Sequence, residues 1–269
     1  MPNHLDYEET CLTYISSEHA TSRTPDGHRF TVNMGNTTFA AKASGVTLNK
    51  VLLPNIFPNI NAYRNTFTIG GATITIPVAF YSAADLATTI TSLSTALLLD
   101  VNLTFTNERF TWTNVGVVDR DIEASAEIWD YLGWDWRTLE DLGGEIYRLS
   151  VADATPGPNT QLAPHPPALF GEKIVHVSCD KLSHGNLVHG ADGKLHDVLC
   201  TVPLGETVFN FVKVWEPNSE KSYRVNYKYV NSISSTLDFQ ILDSRLRHLP
   251  FSPNHHIQIV LKTYHKEHD

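Results

Sequence analysis

The chain has 269 residues, 42% of them hydrophobic and 18% charged, and a formal charge of -9 at neutral pH. This composition excludes a disordered chain and leaves room for one large β domain or two small ones. Twenty basic residues against twenty-nine acidic ones, with no Lys/Arg run, argue against a nucleic-acid surface.

From the N-terminus, residues 1–30 are polar and carry no sustained period, so they read as a flexible arm. Met1 to Ala20 has no apolar core, which is not the pattern of a secretory signal. Pro25-Asp26-Gly27 is a turn signal. Residues 31–269 are expected to form the folded domain. In it, Phe39 to Phe57 is the first substantial β region. Val46 and Leu48 share one parity and Val51 and Leu53 the other, so a bulge or an irregular strand end is expected near Asn49-Lys50.

The pattern then changes. Phe67-Thr68-Ile69 and Thr73-Ile74-Thr75-Ile76 flank Gly70-Gly71-Ala72, a hairpin signal. Ser82 with Asp85 three residues on is a helix start, and Leu86, Ile90, Leu93 and Leu97 follow at helical spacing. Leu103 to Thr106 and Phe110 to Thr113 make a second hairpin around Asn107-Glu108-Arg109. A short helix over Glu123 to Leu132 ends at Gly133. Trp129, Trp134 and Trp136 cluster beside it with Tyr131, either covering the hairpins or offering a ligand platform. The stretch at about 65–150 is therefore expected to be an inserted α+β unit, its helical stripe packing on Phe105 and Trp112. Asp153 to Pro167, with five prolines, reads as an extended connection.

After this connection the chain is all β. Ile174 to Cys179, His196 to Val202, Val208 to Trp215, Ser222 to Tyr229, Leu237 to Leu242 and Ile257 to Thr263 are the expected strands. The clearest are the last two, where Leu237, Phe239 and Ile241, then Ile257, Ile259 and Leu261, alternate with polar or outward positions. Pro250 and Pro253 break the chain between them. Many short strands of this kind imply a β-sandwich or jelly roll.

The residues support no catalytic, cofactor or metal site. His184, His189 and His196 lie in a Gly-rich loop without the His-X-His pair of a metal-binding cupin, and His255-His256 are adjacent. Cys179 and Cys200 share parity with valines, which makes them core thiols; Cys11 has no evident partner. No nucleophile elbow, phosphate loop or dinucleotide fingerprint is present. Asp119 and Asp121 are a carboxylate pair that sequence cannot place across a cleft. Asp130, Asp135, Glu140 and Asp141 read as a solvated face. Asn36-Thr37-Thr38 and Asn102-Leu103-Thr104 match the glycosylation triplet and read as chance matches. Ala83 to Leu99 is too polar for a membrane span.

The order of these parts resembles the minor capsid (penton) proteins of the adenovirus-like lineage: polintons, adintoviruses, polinton-like viruses and virophages. The matching pieces are the strand running into Leu53-Pro54-Asn55-Ile56-Phe57-Pro58-Asn59-Ile60-Asn61, the Asn65 to Ile69 and Ile74-Thr75-Ile76-Pro77 pair, and Tyr81-Ser82 opening the helix. Further on come Tyr131-Leu132-Gly133-Trp134, His176 to Asp180, Asp197 to Pro203, and Ser232 to Asp243, in which an aspartate ends the strand. A glycine common in the family is missing from Ser244-Arg245-Leu246. The resemblance, over about Phe39 to Tyr264, implies a mainly β single jelly roll with an inserted α+β unit. It further implies a structural protein of the virion without enzyme activity or cofactor, forming homopentamers at the fivefold vertices of an icosahedral capsid. Its partners would be itself and a double-jelly-roll major capsid protein, with no interface residue identified; the N-terminal arm would reach neighbouring capsid proteins. The competing expectation is a receptor- or glycan-binding lectin-like domain of a virus spike, with Trp129 to Trp136 as its platform; a weaker one is a hydrolase using scattered Asp and Glu.

Overall fold

The structure is a computed structural model that describes residues 8–34, 43–152, 159–169, 171–179, 181–182, 187–190, 193–205, 207–217, 225–226, 236–250 and 254–266. The chain begins with β1 (Glu8–Ser16), β2 (Ser22–Arg23), β3 (Arg29–Asn33) and β4 (Ala43–Pro54). It continues through β5 (Thr66–Ile69), β6 (Ala72–Thr75), α1 (Ala83–Ala96), β7 (Val101–Thr106), β8 (Arg109–Asn114), β9 (Arg120–Ser125) and α2 (Ala126–Leu132). Next are β10 (Glu140–Gly143), β11 (Ile146–Val151) and β12 (Asn159–Leu162). The last part holds β13 (Ile174–Cys179), β14 (Leu187–His189), β15 (Leu195–Asp197), β16 (Cys200–Pro203), β17 (Val212–Trp215), β18 (Val225–Asn226), β19 (Thr236–Leu242) and β20 (Gln258–Lys266). Two compact units result: Met1–Phe57 with Glu172–Asp269, and Pro58–Gly171 between them in sequence.

The first unit is a sandwich of two antiparallel sheets. One has the order β1-β20-β4-β17, with β18 also on β4; the other has the order β16-β13-β19-β3-β2. Leaving out the short β2, β14, β15 and β18, the strands number one to eight along the chain. The sheets then read first-eighth-third-sixth and fifth-fourth-seventh-second. That interleaving is the wrapping of a jelly roll, in which neighbours in sequence alternate between sheets, except for the fourth and fifth, which pair in one sheet, and close one core. The fold is therefore mainly β, a single jelly-roll sandwich, and the second unit is inserted between its third and fourth strands.

The core explains the alternation in the sequence. Leu237, Phe239 and Ile241 of β19 are fully buried, as are Ile257 and the β20 residues Ile259 and Leu261, and they meet Val175, Val177, Leu53 and Phe57 in one cluster. Phe30 stacks on Phe239 with ring centroids 5.1 Å apart. β19 and β20 lie in opposite sheets, facing each other across the core. The parity slip in β4 is a bulge: Leu48 pairs with Leu261 and Lys50 with Val260, leaving Asn49 as the extra residue. The bulge lets Val46, Leu48, Val51 and Leu53 all face inward despite their mixed parity.

Three expectations need correction. Residues 8–16 are not part of a flexible arm: β1 pairs with β20 over nine residues, from Glu8↔Lys266 to Ser16↔Gln258, and β3 pairs with β19. Little of β1 shows as a core face in sequence, because Ile15 is buried while Leu12 and Tyr14 point to solvent; its partner strand lies at the other end of the chain. Residues 1–7 of that expected arm lie outside the described residues. Second, the connection of Asp153 to Pro167 contains a strand, since β12 adds to the edge of β8 and Ala163 is fully buried. Third, His196 to Val202 is two short strands, β15 and β16, and Val208 to Trp215 is strand only in β17. Of Ser222 to Tyr229, only 225–226 lie inside the described residues.

The inserted unit has its own core. Its sheets are β10-β11-β9-β5-β6 and β12-β8-β7. Ser82 caps α1, its hydroxyl oxygen accepting from the Asp85 N–H. Leu86 and Ile90 are buried in one cluster with Leu103, Phe110 and Trp112, and Leu93 and Phe105 pack on its margin. Leu97 drops out of the expected stripe and is 47% exposed, because the helix ends at Ala96 and Leu98 turns into the left-handed region at φ 56°. α2 ends at Gly133, whose φ of 85° needs a glycine; a Cβ there would lie 2.2 Å from the His165 carbonyl oxygen.

Candidate functional site

The groups that carry chemistry in the sequence are used structurally. Cys179 and Cys200 are buried in the sandwich core, and burial pushes the Cys200 thiol pKa well up. Such thiols are poor nucleophiles. Cys11 is exposed on β1. In the β14–β15 hairpin His189 faces Leu195 and His196 faces Val188, so the two histidines occupy neighbouring rungs and project to opposite faces. His184 lies outside the described residues. Among the described residues no group of three or more His, Cys, Asp or Glu is placed to hold a metal ion. No helix among them is long and apolar enough to cross a membrane.

The carboxylates form turns and surface networks. Arg148 gathers Glu123 at 2.7 Å, Glu140 at 3.4 Å and Asp121 at 3.7 Å, and its hydrogen bond with Glu123 raises the guanidinium pKa. Asp121 also accepts from the Ser150 hydroxyl at 2.6 Å. Asp135 caps a 3-10 turn at Arg137 N–H, and Asp141 accepts from Gly143 N–H. Asp130 and Glu140 are exposed. Asp119 is exposed and lies two residues from Asp121 on the chain.

The aromatic cluster is core. Trp129 is fully buried, its indole N–H donating to the Tyr147 carbonyl at 2.9 Å, and Trp134 packs edge-on against it at 5.8 Å. Trp136 stacks on Tyr147 and carries the Arg137 guanidinium over its ring. A glycan platform needs exposed ring faces. Two of the three indoles are inside, so of the tryptophans named for a lectin-like platform only Trp136 is partly open.

What remains as candidate function is surface for assembly. On the jelly roll, the two outer strands of the β1-β20-β4-β17 sheet carry solvent-facing apolar side chains. Leu12 and Tyr14 lie on β1; Val212 and Val214 lie on β17, with Phe211 just before it. Between them the outward-parity positions are Val260 on β20, which is buried, and Lys50 and Leu52 on β4. Among the described residues neither outer strand has a further strand paired to it. These edge residues carried no recognisable sequence signal, since an outward Tyr or Val looks like any strand residue until its sheet position is known. The other sheet ends in the short β16 and β2. On the inserted unit, Leu98 and Val117 protrude from adjoining loops joined by Val115 N–H to the Asp100 carbonyl at 2.8 Å.

A second feature of the sandwich is the turn after β19. Asp243 is fully buried and its Oδ1 accepts from the N–H groups of Arg245 (2.9 Å) and Arg247 (2.8 Å); its Oδ2 accepts from Arg247 Nε at 2.7 Å. The aspartate that ends the strand therefore builds the turn. Leu246 takes φ 63°, the left-handed conformation a glycine would adopt freely.

No family model matches the chain, and no curated protein matches it. Among solved structures, the chain is similar to the mavirus penton protein, at 10% identity and a TM-score of 0.49, over 96% of this chain and 100% of that one.

Proposed function

We propose that this chain is a structural capsid protein, the penton or minor capsid subunit that fills the fivefold vertices of an icosahedral virion. The observation that carries the reading is the strand order. A complete jelly roll holds the second unit, Pro58–Gly171, between its third and fourth strands, and this arrangement supports the vertex reading.

In this reading five copies close a ring through their sheet edges. A head-to-tail contact joins one patch to a different patch on the next copy and closes when the rotation fits. The β1 edge and the β17 edge are two such patches on one sheet, both with apolar side chains outward. The double-jelly-roll major capsid protein would be the second partner. The experiment is co-expression with that protein, followed by electron microscopy of the particles and mass photometry of the vertex protein alone. Density for this jelly roll at the fivefold positions is expected. Tyr14→Lys and Val214→Lys should each empty those positions while Cys179 and Cys200 stay protected from thiol reagents. Particles whose fivefold positions hold another polypeptide would end the proposal.

A further inference from the structure

On the inserted unit, α1 packs along β7, an outer strand of the β12-β8-β7 sheet. Among the described residues no strand pairs with the other edge of β7. At one rung a side chain stands in for that strand. The Thr91 hydroxyl accepts from the Leu103 N–H and donates to the Leu103 carbonyl, both at 2.9 Å. In an antiparallel ladder only alternate residues exchange backbone bonds with the partner strand. Leu103, opposite Trp112 in the register, therefore turns its backbone groups away from β8. Phe105, two residues on and opposite Phe110, does the same.

Between α1 and this edge runs a groove of about 410 Å³. Ala84, Ala87 and Thr88 of the helix form one wall, Thr104 and Phe105 of the strand the other, and Thr91 lies beside Leu103 within it. None of the residues lining the groove is charged.

We propose that this groove binds an uncharged peptide segment in extended conformation, which adds to the β7 edge as a further strand of the β12-β8-β7 sheet. Three features select that occupant. The Phe105 N–H and carbonyl point to the groove side, and backbone bonding along a sheet edge is how extended peptides are held. The neutral walls exclude charged side chains, which would give up water there without a partner. Ala84 and Ala87 carry nothing beyond Cβ, so the peptide residues that point towards α1 have room for a branched aliphatic side chain beside Phe105. Side chains alternate along a strand, so the residues between them point past the exposed Thr104 to solvent, where small polar groups fit. Thr91 sets the inner limit of the site, because it already fills the Leu103 rung. The groove lies within the inserted unit and uses neither the β1 nor the β17 edge, so it and the vertex reading can fail separately.

The test is selection of displayed random peptides of about eight residues, within the usual length of a strand, on the full chain. The Thr88→Arg variant is the counter-target. Thr88 is exposed on α1, so the arginine fills the groove without entering the core. Selected sequences are expected to be uncharged, with aliphatic residues at alternate positions, and to bind Thr88→Arg about tenfold more weakly. Two backbone-methylated forms of a selected peptide then test the strand geometry on the natural chain, which covers the case of a poorly folded variant. Methylating the alternate nitrogens that face β7 should weaken binding about tenfold, and methylating the other set should change it little. Hydrogen exchange with the peptide bound should slow in β7 and stay unchanged in β1 and β17. Charged selected sequences, no enrichment over Thr88→Arg, equal effects of the two methylated sets, or protection at β1 or β17 in place of β7 would each overturn the site.

Discussion

Replacing Asp243 by alanine should be among the more damaging single changes to the jelly roll. The substitution removes acceptors for two backbone N–H groups and one guanidinium. A hydrogen bond from a backbone N–H to a buried carboxylate is worth about 1.5 kcal/mol, so the two amides account for about 3 kcal/mol. The Arg247 side chain is 26% exposed, and solvent screening limits its ion pair to about 1 kcal/mol more. Asp243→Ala should therefore cost about 4 kcal/mol, which at a typical urea dependence lowers the unfolding midpoint by about 2 M. Asp243→Asn keeps Oδ1 for both amides and should cost about 1–2 kcal/mol, from the lost charge opposite Arg247. Leu246→Gly should act the other way, gaining about 1 kcal/mol by relieving the left-handed backbone. The cysteines supply a local assay. All three lie in the sandwich, and Cys179 and Cys200 are buried, so pulsed thiol labelling against urea reports that unit without the inserted one. Equal midpoints for Asp243→Ala and the natural chain, or equal losses for Ala and Asn, would refute the assignment of the turn to the carboxylate.

Three other outcomes follow from the packing. Gly133→Ala should destabilise the inserted unit by about 3 kcal/mol, since both the positive φ and the His165 carbonyl oppose a Cβ; calorimetry showing an unchanged transition would contradict the close approach. Ile90→Ala, at a position 1% exposed, should cost about 3 kcal/mol in the same transition and leave the thiol-labelling midpoint of Cys179 in place. Burial lowers the His176 pKa, partly offset by the charge of Asp243. The unfolded chain then takes the proton first, so the stability contribution is full above the ordinary histidine range and is lost as pH falls through that range towards the folded-state value. His176→Gln, which keeps an acceptor for Thr201, should flatten this part of the stability-pH curve; an unchanged slope would show that His176 is not its source.

The parts of the fold legible in sequence are those whose signal is contained in a few neighbouring residues. The alternation in β19 and β20, the parity slip at Asn49, the serine cap of α1 and the glycine ending α2 each state a local rule, and each appears in the structure. What was not legible depends on distant partners. β1 buries Ile15 yet exposes Leu12 and Tyr14, and what makes it a strand is nine residues of pairing with the opposite end of the chain. β12 is held by pairing with β8. Its Pro-rich flanks in sequence advertise only a connection.

The same distinction explains why the candidate surfaces could not be read from residues alone. A sheet face becomes an interaction site through its place in the strand order, and that order is set by long-range pairing. Tyr14 and Val214 are ordinary strand residues in sequence. They become notable because β1 and β17 are the outer strands of a four-strand path whose inner members are β20, paired with β1 and β4, and β4, paired with β20, β17 and the short β18. The apolar residues that face outward there have no core to fill. Strands at such positions usually carry charges, prolines or bulges that discourage association. β1 has Glu8 and Glu9 only at its start, and β17 has one lysine, Lys213, whose parity differs from that of Val212 and Val214. Lys213 pairs with the core residue Leu53 and so puts a charge on the inward face of β17, which guards that edge, whereas β1 carries its charges only at its start. A guarded edge at β17 and a barer one at β1 are unlike patches on one sheet, and unlike patches are what a head-to-tail contact of the proposed vertex ring would join.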